Sequence, residues 1–153
     1  MLKKIFLSLF YVFFPLLVGL LSSYFSNYNM YSSFNKPPLS PPGYIFGIVW
    51  TILYLLMGIS YFLVKLKYEN YDISHVSFWY YLQLIINFFW SIFFFRNNAY
   101  VFSFLWILFL IVAVIITFIK FLRLNKTSGY LLIPYLVWIV FAAYLNLGVA
   151  ILN

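Results

Sequence analysis

The sequence predicts an all-α integral membrane protein, a bundle of five transmembrane helices that forms a single domain over residues 1–153. Three observations predict this fold class. The chain is 67% hydrophobic and 7% charged, whereas a water-soluble domain carries about 25% charged residues. Five apolar stretches reach the roughly 20 residues that a helix needs to cross a bilayer. They do not alternate as barrel strands do, so helices are expected to satisfy their backbone groups in lipid.

The first helix is predicted at about residues 5–25, directly after Lys3 and Lys4. This start resembles a signal peptide, but it lacks a small-residue cleavage site and is long enough to span, so we expect it to be retained. Residues 26–42 follow as a polar loop that contains "KPPLSPP", where proline fixes the backbone and opposes a helix. The remaining helices are predicted at about residues 43–65, 76–95, 99–122 and 128–150.

The basic residues predict the orientation of the bundle. Two of the nine Lys and Arg residues, Lys36 and Arg96, fall on one side of the membrane. The other seven fall on the opposite side: Lys3, Lys4, Lys65, Lys67, Lys120, Arg123 and Lys126. Because positive charge accumulates on the cytoplasmic side, we expect the N-terminus in the cytoplasm and the C-terminus outside. The membrane itself is expected to be a bacterial cell membrane. The basic residues behind the net charge of +7 are therefore expected to contact the headgroups of membrane lipids. No nucleic acid is expected as a partner, because the chain has no base-reading module.

Acid–base and metal chemistry have little support in the sequence. The acids Glu69 and Asp72 share one polar loop with the single histidine, His75. This loop is either a weak metal site or a solvated connection without a site, and we expect no metal. The chain has no cysteine, no carboxylate pair and no Ser-His-Asp set.

Polar and aromatic residues recur at every fourth position on three predicted helices, which places each set on one helix face. The sets are Trp50, Tyr54, Gly58 and Phe62; Gln83, Asn87 and Ser91, with Trp90 beside them; and Pro134, Trp138, Ala142 and Asn146. Such a face often serves only to hold helices together. Three converging faces would instead line a pocket with aromatic rings and a few polar groups. A small-xxx-small run, "GYIFG" at 43–47, leaves a homodimer open.

The chain resembles the TspO/MBR family of tryptophan-rich sensory proteins and translocator proteins. Three runs carry the resemblance together: "KPPLSPP" with "FGIVWTILYLLMGISYFLVK", "QLIINFFWSIFF", and "LLIPYLVWIVFAAYLN". It covers about residues 30–153. It implies a five-helix bundle that binds tetrapyrroles such as protoporphyrin IX or haem, and isoquinoline carboxamides in the same pocket. The loop 26–42, here called the lid, would cover that pocket.

The resemblance also implies the residues that contact the ligand, which are Tyr31, Pro41, Trp50, Tyr54, Asn87, Trp90, Trp138, Ala142 and Asn146. Trp50 and Trp138 would act as catalytic, oxidisable side chains in a light- and oxygen-dependent degradation of protoporphyrin IX. No separate cofactor is required, since the pigment is itself the ligand or substrate. Two alternatives stay open: a pigment-binding sensor without turnover, and a transporter of porphyrins or small lipophiles.

The chain departs from the family pattern at two places. Met30 and Leu39 stand where the family's loop often has tryptophan. The animal cholesterol motif ends in Tyr and Arg, and the run "LNLGVAILN" has neither. High-affinity cholesterol binding is therefore not expected.

Overall fold

A computed structural model describes the chain from Leu2 to Asn153, with side chains described from Phe6 onward. Its helices are α1 (Leu2–Ser26), α2 (Gly43–Lys67), α3 (Ser74–Ser91), α4 (Tyr100–Leu124), α5 (Lys126–Leu131) and α6 (Ile133–Leu152). A 3-10 turn at Tyr28–Ser33 follows α1, and a π-helical turn at Ile92–Arg96 continues α3. No strand occurs between Leu2 and Asn153.

Five helical segments are long and apolar enough to cross a membrane, which confirms the predicted all-α membrane fold. They are Phe6–Ser26, Gly43–Lys67, Ser74–Arg96, Tyr100–Leu124 and Lys126–Leu152. The side chains of Lys3 and Lys4, on which the predicted orientation partly depends, lie outside the described residues.

The fifth predicted helix consists of two pieces, α5 and α6, which meet at Leu132. The segment begins before the predicted residue 128 because Asn125 caps it. The Asn125 side-chain oxygen accepts hydrogen bonds from the backbone N–H groups of Thr127 (3.0 Å) and Ser128 (3.4 Å). Pro134 lies in the first turn of α6, where its missing N–H would have no helical partner in any case.

The helices form a closed ring. α1 packs against α2 and α3, α2 packs against α5, and α4 packs against α3, α5 and α6. Gly58 of α2 allows the close approach of α1, because a Cβ atom there would collide with the backbone of Val12. Gly19 of α1 lies in the same way against the ring of Tyr54. Gly58, which the sequence placed on a pocket-lining face, therefore packs against another helix.

The lid lies across one end of the ring and is attached to α6. Asn153 accepts a hydrogen bond from the backbone N–H of Asn35 (3.0 Å) and donates one to its carbonyl oxygen (2.8 Å). The hydroxyl of Tyr144 donates to the carbonyl of Pro38 at 2.8 Å. Pro37 packs directly on Gly148, where there is no room for a Cβ atom. The proline run is therefore seated on a specific helix surface.

Candidate functional site

The aromatic rings of the lid point into the bundle. Tyr31 is buried, with its ring 5.0 Å from that of Phe46 on α2. Phe34 is also buried, 5.6 Å from Phe94. The hydroxyl of Tyr31 donates to the carbonyl of Pro41 at 2.8 Å, so two residues predicted to contact the ligand are bonded to each other. Burial raises the pKa of Tyr31, which keeps its hydroxyl protonated as a donor.

A π-helical turn fills the space below the lid. It lets two consecutive residues, Phe94 and Phe95, both turn inward and become buried. Phe94 stacks on Trp90, with ring centroids 5.7 Å apart and planes at 11°. The space that remains between these rings and Ala142 has a volume of about 10 Å³, which is about one water probe. The centre of the bundle is therefore closed. The aromatic run "IFFF" at 92–95 is the one feature of the sequence that could have indicated this.

An open cavity lies to one side, between α1, α2 and α3. Its volume is about 270 Å³. Four of the predicted residues line it: Trp50, Tyr54, Asn87 and Trp90. It adjoins an open groove of about 630 Å³ along the lid, since Tyr28 and Gly43 line both spaces. The structure thus brings together the predicted residues of α2 and α3, while those of the lid and α6 lie outside this cavity.

Hydrogen bonds tie the polar face of α3 to α6. The amide of Asn87 donates to the hydroxyl of Tyr135 at 3.0 Å, and that hydroxyl donates to the side-chain oxygen of Gln83 at 2.8 Å. Gln83 in turn lies 3.7 Å from the sulfur of Met57. Tyr135 was missed from the sequence because it falls outside the every-fourth-residue set that starts at Pro134. This face therefore holds helices together, and Asn87 also lines the cavity.

Trp90 and Asn146 form a second bridge between helices. The indole N–H of Trp90 donates to the side-chain oxygen of Asn146 at 3.0 Å, and the Asn146 amide donates to the carbonyl of Tyr100 at 2.8 Å. Asn146 is fully buried. These contacts join α3, α6 and the start of α4, so both predicted ligand-binding residues already have a structural role.

Trp50 and Trp138 differ from Trp90 in one respect. Their indole N–H groups are buried and have no hydrogen-bond acceptor; among the described residues the only other such side-chain atom is the hydroxyl oxygen of Ser128. The ring of Trp50 lies 6.2 Å from that of Trp90, and the ring of Trp138 lies 5.7 Å from that of Phe46. A buried donor without a partner costs about 1–3 kcal/mol. Such groups are rare in folded proteins, and each calls for a specific explanation.

The loop with Glu69, Asp72 and His75 has a structural use. The Asp72 carboxylate accepts a hydrogen bond at 2.8 Å from the backbone N–H of Ser74, the first residue of α3, an N–H that has no partner within the helix. This bond lowers the pKa of the Asp72 carboxyl. Within the described part of the chain, no three His, Asp or Glu side chains lie together in a way that could hold a metal ion.

Comparison with known proteins agrees with the fold. The model of the TspO/MBR family matches residues 11–152. The chain is 36% identical over 143 residues to the tryptophan-rich protein TspO of Archaeoglobus fulgidus, covering 90% of this chain and 91% of that protein. It is 32% identical over 126 residues to the tryptophan-rich sensory protein of Cereibacter sphaeroides, covering 80% and 76%. It is 30% identical over 121 residues to the translocator protein of Ovis aries, covering 78% and 72%. Matches of this extent show that the chain belongs to the TspO/MBR family.

Proposed function

We propose that this chain binds a tetrapyrrole, protoporphyrin IX or haem, and promotes the light- and oxygen-dependent degradation of protoporphyrin IX. The observation that carries the proposal is the unbonded, buried indole N–H of Trp50, which lines the open cavity, together with the like N–H of Trp138, which lies outside that cavity. They are the two side chains that the family resemblance marks as oxidisable. A folded chain retains such donors at a cost, and a ligand with acceptor groups relieves that cost.

The chemistry of the surrounding residues suits such a pigment. Both tetrapyrroles are flat and largely apolar, and both carry carboxylates. Trp50, Tyr54 and Trp90 offer aromatic faces for stacking in one cavity. Lys36 lies in the adjoining groove, with its ammonium 4.7 Å from the Tyr31 ring centroid. It offers a carboxylate a positive charge at the mouth of the site.

The cavity is too small to hold a whole tetrapyrrole as it stands. Pockets that bury a drug-sized ligand measure about 300–1,000 Å³, whereas the cavity measures about 270 Å³ and the space under the lid about 10 Å³. Binding of a whole tetrapyrrole therefore requires Phe34, Phe94 and Phe95 to move, together with the lid. The lid hydrogen bonds to Asn153 and Tyr144 are the contacts that such a movement would break.

The pigment, when bound, supplies light absorption and oxidising power. The chain binds the pigment and places an oxidisable side chain beside it. Trp50 holds the ligand through its N–H and provides an easily oxidised indole beside it. The aromatic faces of Trp50, Tyr54 and Trp90 displace water from the rings of the bound pigment. The chain needs no acid–base group for this role, because the chemistry belongs to the pigment.

A fluorescence and bleaching experiment tests the proposal. Purified protein should quench protoporphyrin IX fluorescence and, under light and oxygen, accelerate its bleaching. A Trp50→Phe/Trp138→Phe variant should still bind, because most of the stacking area remains, with a loss of about 1 kcal/mol or less for each ring, but should bleach the pigment much more slowly. An isoquinoline carboxamide should compete with the pigment for wild-type protein.

A sensor without turnover is the second candidate, favoured by the bridge that joins Trp90 to Asn146 and Tyr100. A ligand that disturbed this bridge would shift α3 relative to α4 and α6, which is a change that a partner can detect. Equal bleaching by wild type and the double variant, with binding preserved, would support the sensor and rule out the two indoles as electron donors.

A further inference from the structure

A second groove lies between α1 and α2, at the end of the bundle opposite the lid. Its volume is about 230 Å³. Leu7, Phe62 and Leu66 form its apolar walls, and Tyr11, Lys65 and Glu69 bring polar groups to it. Lys65 lies in the last turn of α2, where the apolar run ends. In a transmembrane helix this position meets the lipid headgroups, so a lipid can reach the groove directly.

The groove brings opposite charges to one place. Glu69 is one of the two acidic residues in the whole chain. Lys65 is half-buried, and its ammonium lies 5.8 Å from the centroid of the Tyr11 ring, a cation–π contact that holds the side chain over the groove. A cation and a carboxylate side by side complement a zwitterionic lipid headgroup. The apolar wall next to them complements the acyl chain of the same lipid.

We propose that this groove binds a phospholipid with a primary-amine headgroup, the chemistry of phosphatidylethanolamine. The lipid phosphate lies beside Lys65, its ammonium beside Glu69, and one acyl chain along Leu7, Phe62 and Leu66. A primary ammonium donates hydrogen bonds to a carboxylate, whereas a quaternary choline has no N–H to donate. A carboxylate has about four acceptor sites, so Glu69 accepts the lipid ammonium in addition to other donors. This site is independent of the proposed pigment site.

The first test needs only wild-type protein. The protein is purified in detergent and incubated with equal amounts of phosphatidylethanolamine, phosphatidylcholine and phosphatidylglycerol with identical acyl chains, and the bound lipid is counted by native mass spectrometry. We expect phosphatidylethanolamine to be retained about two- to fivefold more than phosphatidylcholine, the range for one exposed charge pair. Equal retention of the three lipids overturns the proposal.

Two charge-removing variants test the assignment of the headgroup. Glu69→Gln should abolish the preference for phosphatidylethanolamine over phosphatidylcholine and raise the retention of phosphatidylglycerol, which wild-type Glu69 repels. Lys65→Gln should reduce the retention of all three phosphate-bearing lipids. A general loss of folding cannot produce the selective gain of phosphatidylglycerol.

Matched controls carry the same charge changes outside the groove. Asp72→Asn removes the other acid and keeps a side-chain oxygen that can accept the Ser74 N–H, and Lys126→Gln removes an exposed cation of α5. Both should retain the wild-type lipid preference. A preference that survives Glu69→Gln, or that Asp72→Asn removes equally, overturns the site.

Discussion

Trp50 and Trp90 have ring centroids 6.2 Å apart, yet their indole N–H groups have opposite environments. Trp90 donates to Asn146, whereas Trp50 has no acceptor. Helical spacing puts both rings on inward faces, but only the position of Asn146 on α6 decides which N–H is bonded. At the scale of single residues, two neighbouring tryptophans therefore differ: the N–H of Trp90 links α3 to α6, and the N–H of Trp50 stays unbonded beside the cavity.

The hydroxyl of Tyr135 gives a prediction at the same scale. It links Asn87 and Gln83, and Tyr135 is fully buried. Tyr135→Phe should leave the Gln83 oxygen without its donor and destabilise the protein by about 1–3 kcal/mol. Thermal unfolding in detergent measures this. Tyr130→Phe, the same change at an exposed ring, should leave the unfolding temperature almost unchanged, and an equal effect of the two variants would contradict the proposed role of the Tyr135 hydroxyl.

The lid shows at the scale of an element what a rigid proline segment contributes. Two of its residues have left-handed backbone conformations, Asn27 (φ 50°) and Leu39 (φ 67°). Its side chains Tyr31 and Phe34 are buried in the bundle, and its Pro37 packs on Gly148 of α6. Prolines lower the entropy that the loop loses on ordering. The lid can therefore be held in place by the few bonds to Asn153 and Tyr144.

Gly148 gives a prediction about the lid. Gly148→Ala should push Pro37 away, because a new Cβ atom would overlap its ring. The N–H of Asn35 would then lose its bond to Asn153, and for a loss of about 1 kcal/mol its hydrogen exchange should rise about fivefold. Mass spectrometry of the lid peptide measures the exchange rate.

Gly47 provides the control for this variant. It is also in a helix, but a Cβ atom there meets nothing within 4 Å. Gly47→Ala should leave exchange in the lid at the wild-type rate and raise stability by up to about 1 kcal/mol, as expected for replacing glycine in a helix. Unchanged exchange in Gly148→Ala would mean that the contact with Pro37 does not hold the lid.

At the scale of the whole molecule, the closed ring of helices gives the protein two different ends. The lid covers one end. At the other, the ammonium of Lys67 donates to the carbonyl of Leu124 at 2.7 Å, and the hydroxyl of Tyr68 donates to the same oxygen at 3.2 Å. A cation at a helix C-terminus satisfies free carbonyls and interacts well with the helix dipole. Lys67 and Tyr68 thus hold the ends of α2 and α4 together.

The charge asymmetry between these ends predicts the topology. Reporter tags at the N-terminus and in the loop 66–75 should be cytoplasmic, and a tag after Asn153 should face outward, because positive charge stays on the cytoplasmic side. Protease added to intact cells should remove only the C-terminal tag. Protection of that tag together with loss of the other two would reverse the assignment.

The membrane spans could be predicted from the amino-acid sequence alone. A helix in lipid depends on the length of its own apolar run and on the need to satisfy its own backbone, so α2, at Gly43–Lys67, could be predicted to within a few residues. The start of α5 and the end of α3 could be predicted less closely, because the cap at Asn125 and the π-helical turn at Ile92–Arg96 depend on local geometry. The aromatic and polar faces of α2 and α3 were also visible, because four-residue spacing alone defines a helix face.

The packing of the helices determines how those faces are used. It joined Asn87 to Tyr135, turned Phe94 and Phe95 into the space below the lid, and left Trp50 beside a cavity with its N–H unbonded. A cavity is the volume left between side chains of several helices, and a hydrogen bond needs two groups from different helices within about 3 Å. Neither is a property of any one segment, so both follow from the packing of the ring.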